Sequence, residues 1–427
     1  MGLAATATAS ASLRLKSIGR MPLPLLGAAF LLLLFLRHPG GILHATFWAE
    51  DGWNWYPDAY TLGIRCLVVP HTGYLQTFSR LGGLAVQPMP LLWAPTVFAG
   101  LALIVQVLPP LLLLSRRFDA AWPNYWSRLV FAIVYLGLPD SFETFGNLTN
   151  SQWYLAILAF LVVVSTRPRG LAGFVADGLA LILSGLSGPL CLMLAPIAVW
   201  SWWQDRRAGR LLRLGLVLAA ACAQLTALLL SLAQRHPTLR LGASLINLAH
   251  ILTAKLVYGL FLGSRVMVRL DHSAFWGRDS LALAIAAALT ILIGLAWWRG
   301  GSLFRRFALF GGLVFAAALV SPVVSGASAW AALASPGSGD RYFLIPMLVV
   351  AAACFSLAAD RQRWISRGGF GLCLALGGGV CGDFPYPHMR QTDFDSRARA
   401  FAAAPSGTSM TFPVLPVLAA TMVLVKK

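Results

Sequence analysis

Residues 21–36 read MPLPLLGAAFLLLLFL, an uninterrupted apolar run. Arg14, Lys16 and Arg20 precede it, and RHPGG follows in place of a small-residue cleavage site. A run of this kind is retained as a membrane anchor, not removed as a signal peptide. That reading carries to the whole chain. Of its 427 residues 58% are hydrophobic and only 11% charged, which excludes a soluble globular domain. Further apolar segments lie near 90–114, 128–139, 152–165, 171–184, 189–203, 211–233, 281–298, 305–321, 342–359 and 365–381. A spanning helix needs about 20 apolar residues, so the shorter segments must end in headgroups or in protein-lined cavities. The expectation is an all-α polytopic membrane protein with about eleven transmembrane helices across 21–381, after a low-complexity, disordered cytoplasmic tail at 1–20.

Charge sets the orientation. The formal net charge is +18, and the basic residues concentrate in the short connections SRRFDAAWPNYWSR, TRPRG, QDRRAGRLLR, RGGSLFRR and DRQRWISRG. Short basic loops stay cytoplasmic, so the charge reports topology and no nucleic-acid partner is expected. The outer side then holds 37–89, 140–151, 234–280, 322–341 and the tail from 382, with every histidine: His38, His44, His71, His236, His250, His272 and His388. Of 15 carboxylates only Asp119, Asp205 and Asp360 fall in cytoplasmic loops, with Asp177 near the end of a span. Acids contribute little to topology, so their gathering on one side points to a working site there. Within 382–427, TSMTF and ATMVLV suit two short strands on a small outer appendage, although a twelfth helix ending at Lys426 and Lys427 is the other reading. No GxxxxGK[ST] loop accompanies any of the four lysines, which excludes ATP-driven transport by this chain alone.

Four outer stretches carry polar chemistry. In FWAEDGWNWYPDAY, residues 47–60, Glu50 and Asp51 are adjacent and diverge, so one acts as base or substrate ligand and the other braces the loop or a metal. Asp51 is the first choice for the base and Glu50 the second; Gly52 permits a turn, and Trp48, Trp53, Trp55 and Tyr56 set the depth. DSFETFGNLTNSQWYLA, 140–156, crowds Asp140, Glu143, Asn147, Asn150 and Gln152 beside Trp153, an amide-and-aromatic set suited to sugar hydroxyls or, more simply, to capping a helix. SGLSGP, 184–189, offers close backbone approach or close helix packing. SGDRYF, 338–343, places Arg341 and Tyr342 at the boundary, where the arginine meets a lipid phosphate or a neighbouring acid. Arg80, Lys255 and Arg265 are further phosphate candidates. GASLINLAHILTAKLVYGLFLG, within 234–280, reads as a helix lying on or dipping into the membrane.

The ordered set FWAEDG, GYLQTFSRLGG, GNLTNSQWYLA, SGLSGP and GDRYF resembles bacterial GT-C-type membrane glycosyltransferases of the surface-polysaccharide kind. That resemblance implies an enzyme of the bacterial plasma membrane, working on its extracytoplasmic face. It implies a polyprenyl-phosphate-linked sugar as donor and a glycan or lipid as acceptor, with an acid of the first outer loop, here Asp51 or Glu50, as base or acceptor ligand. A divalent metal at that pair is left open. The rival readings are a lipid-linked glycan transporter and a non-catalytic scaffold.

Overall fold

A computed structural model describes residues 20–231, 240–273, 275–387, 391–417 and 421–427; residues 1–19, His236 and His388 lie outside it. Each of the eleven apolar segments is a helix: Leu23–Arg37, Ala94–Leu114, Tyr125–Leu136, Ser151–Val164, Gly170–Gly185, Leu190–Gln204, Ala208–Leu230, Asp279–Arg299, Ser302–Val320, Leu344–Ala358 and Arg363–Asp383. Among the described residues seven helices are long and apolar enough to cross a membrane, and Leu245–Leu262 is one of them. Five apolar helices are shorter.

The Ser151–Val164 helix organises the bundle. Every one of its residues is buried, so it is apolar all round and packed on all sides by its neighbours. At about 21 Å it is shorter than the roughly 30 Å hydrocarbon core. The loop that precedes it is therefore sunk into the protein, where irregular backbone persists only if its polar groups are satisfied internally.

The arginine-rich connections meet at one end of the bundle. Asp177 accepts from Arg117 at 2.7 Å and from Arg213 at 3.0 Å. Asp119 pairs with Arg20 and Arg128, and Asp360 with Arg299. The opposite end, hereafter the site face, gathers the loops at 37–89 and 140–150 with the C-terminal residues.

The composite helix Leu245–Leu262 lies across the site-face ends of its neighbours. His250 Nε2 is 2.9 Å from Asp279, Lys255 pairs with Asp340, and Gly259 abuts the Asp140 carboxylate. Ser264, just beyond it, donates to Asp383 at 2.8 Å. All four partners stand where a spanning helix begins or ends at this face. Length and composition admit the helix as a span, while the four contacts above all fall at the site-face ends of its neighbours.

The tail is a helix, Phe394–Ala403, and an antiparallel pair, Ser409–Pro413 with Thr421–Val425, in the register Met410 opposite Leu424 and Phe412 opposite Met422. It is less separate than the word appendage implies. Phe394, Phe401, Phe412, Val414, Met422 and Leu424 share one core with Phe47, Trp55, Tyr56 and Phe98. Leu415 N donates to Phe47 O at 2.9 Å, so the tail backbone pairs directly with the first loop.

Candidate functional site

The first loop enters the site through Ala49, whose φ of 45° turns the chain sharply before Glu50. Residues Asp51–Trp55 are then wound as a π-helix, a wide turn found often at functional sites. Gly52 does not supply the turn. A Cβ there would sit 2.7 Å from Val414 and 2.9 Å from the Phe47 side chain, so the glycine is required by packing against the tail.

The two adjacent acids have different environments. Asp51 is only 2% exposed, and both its oxygens face the 140–150 loop. Leu148 N donates to one oxygen at 3.1 Å; Thr149 N and Oγ1 donate to the other at 2.9 and 2.8 Å. Thr149 Oγ1 in turn accepts from Trp55 Nε1 at 2.9 Å. Burial pushes the Asp51 carboxyl up to about 7 against these donors, with the Glu50 charge adding to the rise. Glu50 is half-buried, and no hydrogen bond holds it among the described residues. Its charge is felt by His71, whose ring stands edge-on to Trp55 at 5.1 Å and whose basicity is lowered by burial. Asp51 is thus the buried acid tied to the 140–150 loop, and Glu50 is the half-buried acid without a hydrogen bond among the described residues.

Asp51 provides a test on stability. A carboxyl raised from 3.8 to about 7 binds its proton more tightly in the folded state. Its contribution is full below about pH 4 and is lost as pH rises through about 7. Asp51→Asn should remove that slope between pH 5 and 8. It should also cost about 1–3 kcal/mol, because the amide turns a donor toward the Leu148 or Thr149 donors. Thermal unfolding of both proteins across that pH range checks it.

The 140–150 loop is the hub. Asn147 Nδ2 donates to the carbonyls of Glu143 and Phe145 at 2.9 and 3.1 Å, and Asn150 Nδ2 donates to Glu143 O at 2.9 Å. Asn150 N donates to Asn147 Oδ1 at 2.9 Å. These amide groups satisfy the sunken backbone, a duty that follows from the short helix behind them. Glu143 reaches outward instead, accepting from Arg341 N at 2.9 Å and pairing with its guanidinium. Arg341 thus meets a neighbouring acid, one of the two partners anticipated, and still keeps part of its side chain exposed.

The other two cations are engaged differently. Arg80 is 1% exposed, donates to Asp58 at 2.9 Å and stacks on Trp55 at 5.1 Å. Lys255 is fully buried against Asp340. Neither is presented to a phosphate. Arg265 is exposed and bonded only to the Pro385 carbonyl among the described residues. Asp140, at φ 50°, donates its N–H to Asp383 at 2.9 Å, while its buried Oδ2 has no hydrogen-bond partner among the described residues. Burial, then the neighbouring Asp340, holds the Asp140 carboxyl well above the usual carboxylate range.

Two residues not picked out as site candidates link the halves. His71 and Tyr74 pair through their backbones across the turn at Thr72 and Gly73. Tyr74 comes within reach of Thr72 and Gln152 and into the fields of Tyr342 and Arg341, and burial raises its phenol. Tyr342 packs edge-on to Trp153 at 5.7 Å. A row runs from Glu50 through His71 and Tyr74 to Gln152, Tyr342 and Arg341. SGLSGP supports it by packing: Ser187 Oγ accepts from Phe78 N at 2.9 Å, Gln224 clamps Leu75 to Gly185, and Gly188 leaves room for Gln152.

Beside this row a pocket of about 180 Å3 is lined by His38, His44, Trp48, Phe142 and Asn147, with Gln391 and Leu415 from the tail. Gln76 Oε1, Asn150 Oδ1 and Trp153 Nε1 are buried without a hydrogen-bond partner among the described residues. No group of three or more His, Cys, Asp or Glu side chains among those residues converges as a metal site requires. Comparison with protein-family models, curated proteins and solved structures returns no match to this chain.

Proposed function

We propose that this chain is a membrane glycosyltransferase of the GT-C type, transferring a sugar from a polyprenyl-phosphate donor to a hydroxyl acceptor on a glycan or lipid. The observation that carries the reading is the convergence at one face of Glu50 and the His71–Tyr74 turn, both in the 37–89 loop, with the partly exposed Arg341 from far along the chain. By the positive-inside rule the short arginine-rich loops are taken as cytoplasmic and the site face as extracytoplasmic; the bacterial plasma membrane is what the resemblance implies. Cytosolic nucleotide sugars do not reach it; a sugar arriving on a lipid does.

In the transfer, the acceptor oxygen attacks the anomeric carbon and Glu50 takes its proton. The bond from that carbon to the phosphate oxygen breaks, and polyprenyl phosphate leaves with the electron pair. Arg341 and Arg265 are the available cations for the developing phosphate charge. A single displacement inverts the anomeric centre. Asp51 positions the loop by holding Leu148 and Thr149. No step is assigned to a metal, because Glu50 and Asp51 point into different surroundings.

The pocket under Trp48 is of a size and lining suited to one sugar ring. Trp48→Ala should weaken binding of the sugar substrate that occupies it by roughly five- to tenfold, about 1–1.4 kcal/mol, with kcat little changed. Steady-state kinetics with donor and acceptor varied separately checks this and shows which substrate sits there.

The buried Lys255–Asp340 pair beside Asp140 favours a second reading, a lipid-linked glycan transporter, since ionisable groups buried in membrane proteins often mark translocation paths. Purified protein in liposomes with a polyprenyl-phosphate sugar separates the two. Transfer or hydrolysis of the sugar supports the enzyme; movement of intact donor between leaflets, without bond cleavage, overturns it.

A further inference from the structure

A second cavity, larger than the pocket at Trp48, lies at the other end of the molecule. It holds about 680 Å3 between the Ala94–Leu114, Tyr125–Leu136 and Ser151–Val164 helices on one side and Asp279–Arg299, Ser302–Val320 and Leu344–Ala358 on the other. Its depth is apolar, walled by residues such as Ile157, Phe160 and Leu348, and its mouth lies among Arg299, Asp360 and Arg361 of the arginine-rich loops. Proline shapes it. Pro110 has no N–H to give the Gln106 carbonyl four residues earlier, and Tyr135 donates its hydroxyl to that carbonyl at 3.0 Å, fixing the ring as cavity wall.

The mouth is cationic. Arg299 is neutralised by a two-pronged pair with Asp360 at 2.9 and 2.7 Å. Arg305 is tied by hydrogen bonds to the carbonyls of Trp297 and Trp298 at the same corner, at 2.8 and 3.1 Å, which leaves its charge unpaired. Arg361 is exposed and makes no hydrogen bond among the described residues. Arg299 and Arg361 line the mouth with one carboxylate between them, and Arg305 adds its charge next to it, through the Trp298 carbonyl of the lining. A dry apolar slot within the usual size of ligand sites, roughly 300–1,000 Å3, takes an apolar group in preference to water.

We infer that this cavity binds an anionic glycerophospholipid of the arginine-side leaflet, one acyl chain in the slot and its phosphate at Arg361 and Arg305. Position separates this ligand from the sugar donor. A polyprenyl phosphate reacting at the site face would carry its phosphate at the opposite end of the bundle, whereas phospholipid headgroups lie level with this mouth.

The test is native mass spectrometry of the full chain, purified in mild detergent and reloaded with phosphatidylglycerol, phosphatidylethanolamine or undecaprenyl phosphate. Phosphatidylglycerol should be retained at one copy and at least tenfold better than phosphatidylethanolamine. Arg361→Gln combined with Arg305→Gln should abolish that preference. Ala352→Phe, which narrows the slot without touching the mouth, should reduce retention of phosphatidylglycerol about tenfold while the melting temperature in lipid-free detergent stays within a few degrees. Equal retention of the zwitterionic lipid, full retention by Ala352→Phe, or selective capture of undecaprenyl phosphate would each overturn the assignment.

Discussion

Replacing Glu50 by glutamine is expected to lower sugar transfer by about 10²- to 10⁴-fold, the usual contribution of a positioned general base. The side chain keeps its size and loses only its ability to take a proton. Because no hydrogen bond to Glu50 is broken, the melting temperature should not move. The two acids therefore separate: Asp51→Asn changes stability and removes its pH dependence, while Glu50→Gln changes the chemical step and only lowers the Asp51 carboxyl through the smallest of its causes. Single-turnover transfer from a purified polyprenyl-phosphate sugar, measured beside a thermal melt, reads both. Full activity in Glu50→Gln with a collapse in stable Asp51→Asn protein would return the base to Asp51. Retained activity in both would remove the acid pair from the mechanism.

The second large effect is on the fold. Lys255→Met should destabilise the protein by about 3–5 kcal/mol, since breaking a buried pair from one side strands the other charge. Asp340 is nearly as buried as Lys255 and has Asp140 for a neighbour, so its charge would be left without a cation inside the protein. The double variant Lys255→Met/Asp340→Leu should recover most of the loss, because both buried charges are then gone. Chemical or thermal unfolding of the three proteins in detergent decides it. A single variant as stable as wild type would mean that the pair is not closed off from water.

Much of this architecture is written in the local sequence. The eleven apolar segments are helices because they leave no alternative way to satisfy a backbone in lipid. SMTFP and TMVLV, within the two stretches read as strands, pair because alternate residues, Met410, Phe412, Met422 and Leu424, have a core to face. The roles of individual polar residues were less legible, and depth is the reason. Asn147 and Asn150 look like sugar ligands until the 14-residue helix behind them shows how far their loop is sunk. Glu50 and Asp51 are indistinguishable as neighbours; only the Leu148 and Thr149 donors, nearly a hundred residues away, tell the anchored acid from the unbonded one. The link through His71 and Tyr74 had a local signal in the turn sequence HTGY, with φ of 50° at Thr72 and 90° at Gly73. What those two side chains meet comes from other helices, and no local pattern records it.

The pairing of the tail with the first loop has a consequence in time. Thr46 bonds Thr392 across 346 positions, and Tyr60 bonds Lys427 across 367. A ribosome adds about 5–20 residues each second, so the loop bearing Glu50 waits some tens of seconds on the membrane surface with Phe47, Trp55 and Tyr56 uncovered. The first loop can close only after residue 425 has been made, and a chain cut short before residue 409 would lack the two strands that cover Phe47, Trp55 and Tyr56.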